Sequence, residues 1–319
     1  MINAARPPAH PLSAFGLDML ARGAARLRGG RLALAEYGAG AKDKPAPYVD
    51  LDRLAAAFAA RARSCGLRPN EAILILGANR IGVYVAVLGA LAAGLEPVLA
   101  PAHATADELA IVAQHTAAAA LFGPSSYGEA DCEGLLFEAA ARAPDTRFVA
   151  ALTRGSTDAV DFSCTALMEE TALGAPTHAK TRIGLVRLGA DGPPRIDMAP
   201  QSELIAEGLD LVSRLELSSD TPILCTLSPA SRAGLVAGAF AALLSGAPLH
   251  VLGPFSGEAF AALAGALGRY HLAAPAESIA DFSEAGALRG ALGLALSGPQ
   301  TFLPPHGFER PIARLAAPA

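Results

Sequence analysis

In IGLVRLGADGPPRIDMAPQSEL, residues Ile183 to Leu204, an apolar run from Ile183 to Leu188 leads into a Gly- and Pro-rich segment, and a helical pattern opens at Gln201. The spacing predicts a strand, a tight turn and a helix. Such a turn directs backbone N–H groups inward around a phosphate, and the following helix adds the partial positive charge of its N-terminus. Taken alone, the segment reads more readily as a plain turn between a strand and a helix.

Outward from it, apolar strands alternate with helices. Before it lie a helix from Tyr48 to Cys65, a strand Ala72–Leu76, a helix Ile81–Ala93 closed by Gly94, and a strand Leu95–Ala100. Thr105 and Glu108 form a capping box for the next helix. A strand Ala118–Phe122, a helix Cys132–Arg142 and a strand Arg147–Leu152 follow. After it come a helix Gln201–Leu215, a strand Pro222–Leu227, a helix Gly234–Leu244, a strand Ala247–Leu252, a helix Gly257–Leu267, and strands at Tyr270–Ala273 and Leu292–Leu296. This alternation calls for an α/β fold with parallel sheets and helices on both faces. The expected organisation is a lead-in over 1–47, a first α/β subdomain over 48–152, a connection over 153–182, a second α/β subdomain over 183–303 and a tail over 304–319.

The nine residues Arg187 to Arg195, RLGADGPPR, lie without a gap over a known signature, Thr-Ser-Gly-Thr-Thr-Gly-x-Pro-Lys. The segment resembles the phosphate loop of the adenylate-forming (ANL) superfamily, which includes the AMP-dependent acyl-CoA synthetases. Gly189, Gly192 and Pro194 match, and Arg195 keeps a charge where the family has Lys. Arg187, Leu188, Ala190 and Asp191 replace all four hydroxyl residues. Leu188 and Ala190 have no side-chain donor, and Asp191 would face a polyanion. Other segments resemble the family in the same order: Tyr48-Val49-Asp50-Leu51, Ala90 to Gly94 with Pro97 and Pro101, Leu227-Ser228-Pro229 through Gly234, Ala274-Pro275, and Leu288-Arg289 with Ser297-Gly298. The resemblance implies two stacked subdomains in an αβαβα arrangement, like the N-terminal domain of acyl-CoA synthetases without its C-terminal domain. Where the family often has His or an aromatic residue near the acyl pocket, this sequence has Ser231-Arg232. The family's Tyr-Gly-x-Thr-Glu motif, with its Mg²⁺-holding Glu, and the small domain carrying the catalytic Lys are not in these 319 residues.

The candidate site residues are therefore Gly189, Asp191, Gly192 and Arg195 for a degenerate phosphate loop, and Ser231, Arg232 and Gly234 for substrate. Arg232 suits a carboxylate, because a guanidinium forks onto one. No catalytic residue is assigned. The seven histidines are dispersed and the four cysteines stand singly, so no metal site is expected and buried thiols fit a cytoplasmic protein.

A net charge of −5 with no basic run argues against nucleic acid. The uncharged stretch Ala233 to Gly257 is broken by Ser245-Gly246-Ala247-Pro248, so no membrane span is expected. Only 17% of residues are charged, which suggests that a second copy or another protein covers part of the surface. The expected function is that of a pseudoenzyme, a binding, regulatory or complex-forming homologue that needs no cofactor. One alternative is half of a split acyl- or aryl-CoA ligase using ATP and Mg²⁺. The other is a sensor of an acyl or aryl carboxylate.

Overall fold

The computed structural model describes residues 15–38, 44–154, 158–170, 181–189, 192–284, 286–298 and 310–315. In chain order they form α1 (Leu17–Arg28), β1 (Leu32–Tyr37), β2 (Lys44–Pro47), α2 (Tyr48–Ser64), β3 (Ala72–Gly77), α3 (Ile81–Ala93), β4 (Glu96–Pro101) and α4 (Ala106–Thr116). Next are β5 (Ala120–Gly123), the small hairpin β6 (Ser126–Tyr127) and β7 (Ala130–Asp131), α5 (Cys132–Ala140), β8 (Phe148–Ala151), β9 (Val160–Asp161) and α6 (Cys164–Met168). Then come β10 (Arg182–Gly189), β11 (Gly192–Pro200), α7 (Gln201–Leu215), β12 (Ile223–Cys225), α8 (Arg232–Leu235), a π-helical turn (Val236–Phe240) and α9 (Ala241–Ser245). The last elements are β13 (Leu249–Leu252), α10 (Gly257–Leu267), β14 (Tyr270–Pro275), α11 (Ile279–Glu284), β15 (Ala291–Ser297) and β16 (Ile312–Leu315).

Two seven-stranded sheets organise these elements, in the orders β11-β10-β4-β3-β5-β8-β9 and β16-β15-β14-β12-β13-β1-β2. Every pairing is parallel except β10 with β11 and β1 with β2. Buried side chains sort into three clusters that define five layers. Leu74, Leu76, Val98 and Leu121 pack under α4 and α5 on the outer face of the first sheet. Leu224, Leu272, Leu294 and Phe260 pack between the second sheet and α10 and α11. The largest cluster joins the inner faces of both sheets through the helices between them. The architecture is αβαβα, as the sequence pattern and the resemblance implied.

Helix α3 occupies the middle layer, and each of its thirteen residues is buried. A helix apolar on every side has to be covered on every side. Its start is fixed by the buried Glu36 of β1, whose carboxylate accepts the Ile81 N–H at 2.9 Å and pairs with Arg80 at 2.5 Å. Its end is Gly94, at φ +79°, a left-handed conformation that favours glycine. Where α3 crosses α2, a Cβ on Gly89 would stand 2.5 Å from the Cβ of Phe58. Phe58 has no room to give, since its ring lies 5.3 Å from Phe122 and 4.9 Å from Phe162.

Two expectations are corrected. The Gly/Pro turn does not lead from a strand to a helix. It closes an antiparallel hairpin, and the nine-residue β11 intervenes before α7. From Gly192 to Pro200 the strand covers about 27 Å at 3.4 Å per residue, so the N-terminus of α7 stands at the far end from the turn and lends it no charge. Pro193 and Pro194 hid this strand. They are accommodated because β11 is an edge strand and because the register slips there, three residues of β11 spanning two of β10. Nor does each sheet arise from one stretch of chain. β10 and β11 join the first sheet beside β4, and β1 and β2, both from the expected lead-in, join the second beside β13. Part of the expected tail is also a strand, β16, parallel to β15.

Replacing Gly89 by Ala is expected to destabilise the protein by about 2 kcal/mol, because overpacking outweighs the gain in helix propensity. A urea midpoint unchanged or raised in that variant would contradict the packing described.

His250 on β13 is buried and bonded to the Tyr37 hydroxyl at 3.2 Å, and burial lowers its pKa to about 4. Unfolded histidine titrates near 6.5, so between about pH 6.5 and 4 the unfolded chain binds the extra proton and stability falls as pH falls. His250 accounts for up to about 3 kcal/mol of that loss. His250→Gln should flatten the stability profile across this window, as read by denaturant titrations at stepped pH, and an unchanged slope would refute the assignment.

Candidate functional site

Of the residues singled out in the sequence, Arg232 is linked to the hairpin through Asp197 of β11. Partners directly opposite in a sheet share a face, so Arg187 with Arg195 and Leu185 with Asp197 all project from the same face of β10 and β11. The opposite face carries Val186 and Ile196, which pack with α4. Arg195 and Asp197 are exposed, and the Asp197 carboxylate reaches Arg232 of α8 at 3.7 Å. Arg195 and Asp197 thus share a face of β11, and Asp197 links that face to Arg232.

At the hairpin's end Gly189 pairs with Gly192, and both are exposed. Asp191 lies outside the described residues, as does Ala190. Leu188, in place of a hydroxyl residue, packs with the outer cluster under α4. The described part of the turn therefore has the exposed Arg195 as a cation beside it and carries no side-chain hydroxyl.

Ser231 and Gly234 build the start of α8. The Ser231 hydroxyl accepts the Gly234 N–H at 3.0 Å and donates to the Ser228 carbonyl at 2.8 Å. A Cβ at Gly234 would overlap that same carbonyl oxygen, so the turn requires glycine. Ser228 in turn donates to the Gly77 carbonyl at the end of β3, tying the approach to α8 to the first sheet. The observed work of Ser231 and Gly234 is thus to hold Arg232 at the first position of its helix.

Arg232 sits among three carboxylates. Its Nε lies 3.1 Å from each carboxylate oxygen of Glu207, and its Nη2 lies 2.5 Å from Oε1. Glu203 approaches at 3.4 Å and Asp197 at 3.7 Å. The Glu207 hydrogen bond is the main reason that the Arg232 pKa stands above its usual value, against the opposing effect of burial. Both glutamates belong to α7, whose N-terminus is fixed by the buried Gln201. That side chain accepts the Leu17 N–H at 2.8 Å and donates to the Thr181 carbonyl at 3.0 Å.

Arg232 borders a cleft of about 450 Å³ between α7, α8 and β16. Ala206, Leu211, Ala233, Val236, Ala313 and Leu315 supply apolar lining, and Glu203, Glu207, Asp210, Arg214 and Arg314 supply charge. This volume is within the range of small-molecule sites. Glu203, Glu207, Asp210 and Arg214 recur at i, i+4, i+7 and i+11, a spacing that from sequence alone suggests only a solvated helix face.

Among the described residues, no group of three or more His, Cys, Asp and Glu is placed to hold a metal, and no helix is long and apolar enough to cross a membrane. The buried Cys225 thiol is pushed up to about 12 by burial, which keeps it protonated and inert.

Comparison with known proteins adds to this geometry. The AMP-binding enzyme family matches residues 22–180. A search of curated proteins found no match. Among solved structures, acetoacetyl-CoA synthetase from Streptomyces lividans superposes with a TM-score of 0.78 at 20% identity, over 94% of this chain and 50% of that one. MbtA from Mycobacterium smegmatis gives 0.75 at 22% identity, over 90% of this chain and 53% of that one. The anthranilate CoA ligase AuaEII, solved in complex with anthranoyl-AMP, gives 0.74 at 13% identity, over 89% and 55%. At such identities the likeness is one of fold, and the chain spans about half the length of these structures.

Proposed function

The chain belongs to the AMP-binding enzyme family, and from that premise we propose that it is a non-catalytic homologue that binds a ligand and does not adenylate it. In this reading it acts as a binding or regulatory protein for an acyl or aryl carboxylate, alone or within a complex. The observation that carries it is the hairpin: the half-buried Leu188 packs against the outer cluster under α4, and Gly189 and Gly192 present backbone only. Stabilising charge on a transferring phosphoryl group calls for donors already aimed at it. A loop with two arginines and no described hydroxyl can attract a phosphate but lacks the side-chain donors that would orient it.

The cleft beside Arg232 supports the binding half of the proposal. It combines an apolar lining with a few polar groups, the usual make-up of a small-molecule site. The isolated chain is expected to show no ATP–pyrophosphate exchange above background with a panel of aliphatic and aromatic acids. Robust exchange by the chain alone would overturn the proposal. Exchange that appears only on adding a second polypeptide with a Mg²⁺-binding Glu and a catalytic Lys would also overturn it, in favour of a split ligase.

A further inference from the structure

A guanidinium receives a carboxylate best along the edge formed by Nε–H and one Nη–H, where two parallel hydrogen bonds form at once. In Arg232 that edge is filled from within. Glu207 lies against Nε with both oxygens at 3.1 Å and against Nη2 at 2.5 Å. Glu203 and Asp197 approach only Nη2 and Nη1, at 3.4 and 3.7 Å, and their side chains are about half exposed, so solvent screens them.

We propose that Glu207 is an internal occupant of a carboxylate site: it closes the Arg232 fork, and a carboxylic acid with an apolar body enters the cleft only by exchanging with it. This rests on the reading of the chain as a ligand-binding protein, and it assigns the regulation of that site. Three features of the cleft support the exchange. The apolar residues Leu211, Val236 and Leu315 line the same space that Arg232 borders, so an acid can place its body on them while its head meets the fork. Glu207 projects from the surface of α7 with its side chain 39% exposed, so it can rotate into water without unfolding anything. The backbone that carries Arg232 is fixed, since Ser231 caps its helix and Gly234 lets that helix start against Ser228.

The exchange swaps one carboxylate for another, so the site's charge is unchanged when ligand replaces Glu207. Without exchange, an incoming acid adds a fourth carboxylate to a group in which one arginine already faces three. Any modification or partner that draws Glu207 away opens the site. The latch therefore sets affinity by competition.

The test is calorimetric titration of octanoate into the natural full-length chain and into Glu207→Gln and Glu207→Ala, with octanol as the neutral counterpart. Octanoate should bind about tenfold tighter to the Glu207 variants, a difference of 1.4 kcal/mol. Octanol should bind all three alike, and adding Arg232→Gln should remove the gain. Thermal melts identify which variant is folded, and either one suffices. Equal octanoate affinity in natural and variant chains, no binding to any, or the same gain for octanol would overturn the proposal. The result is separate from pyrophosphate exchange. Exchange by the isolated chain would end the non-catalytic reading and leave the latch standing, whereas equal affinities would end the latch and leave that reading standing.

Discussion

The structure depends on covering α3. Thirteen residues from Ile81 to Ala93 contain no charge, and all are buried. Such a helix is stable only with partners all round, and burying one aliphatic side chain is worth roughly 1.5–3 kcal/mol. Two sheets meet that demand, one on each side of the helical layer, with α2 pressed so close that Gly89 leaves no gap to Phe58. The buried Glu36, on a strand of the second sheet, fixes where the helix begins. Because Glu36 binds both Arg80 and the Ile81 N–H, the contact sets the helix start and the placement of β1 together.

The candidate site follows from how the same layer ends. The loop after β12 reaches across to Gly77 through Ser228, and α8 begins immediately beyond. This brings Arg232 under the hairpin of the first sheet, within reach of Asp197, and against α7, which Gln201 ties to α1. The residues around Arg232 and its cleft thus come from both sheets and from the helical layer. The Ser231 and Gly234 contacts restrain Arg232 while Glu207 stays partly in water, so the ion pair has one fixed and one movable member.

Much of this was legible in sequence, for local reasons. The capping box at Thr105 and Glu108, the glycine stop at Gly94 and the full extents of α3, α7 and α10 all follow from short-range rules, and the structure shows each of them. What stayed hidden was non-local or disguised. Nothing in the residues of β1 tells that it pairs with β13, more than two hundred positions away, or that β10 returns to the first sheet. β11 was disguised by Pro193 and Pro194, which suit an edge strand as well as a turn. Arg195 and Arg232 stood out through the family resemblance, at its Lys position and beside its acyl-pocket segment. Glu203 and Glu207 did not, because carboxylates four apart on a helix are the usual surface pattern, and only tertiary packing showed that Arg232 lies against them.

We propose that the hairpin turn between Arg187 and Arg195 has no purchase on nucleotide. The most direct measurement is a calorimetric titration of Mg-ATP into the purified chain, in parallel with a variant carrying Ala190→Thr and Asp191→Thr. The account predicts no saturable heat from the natural chain and measurable binding once the hydroxyls are restored. Saturable, stoichiometric binding of Mg-ATP to the natural chain would contradict it, because Arg195 and the backbone of the hairpin would then suffice.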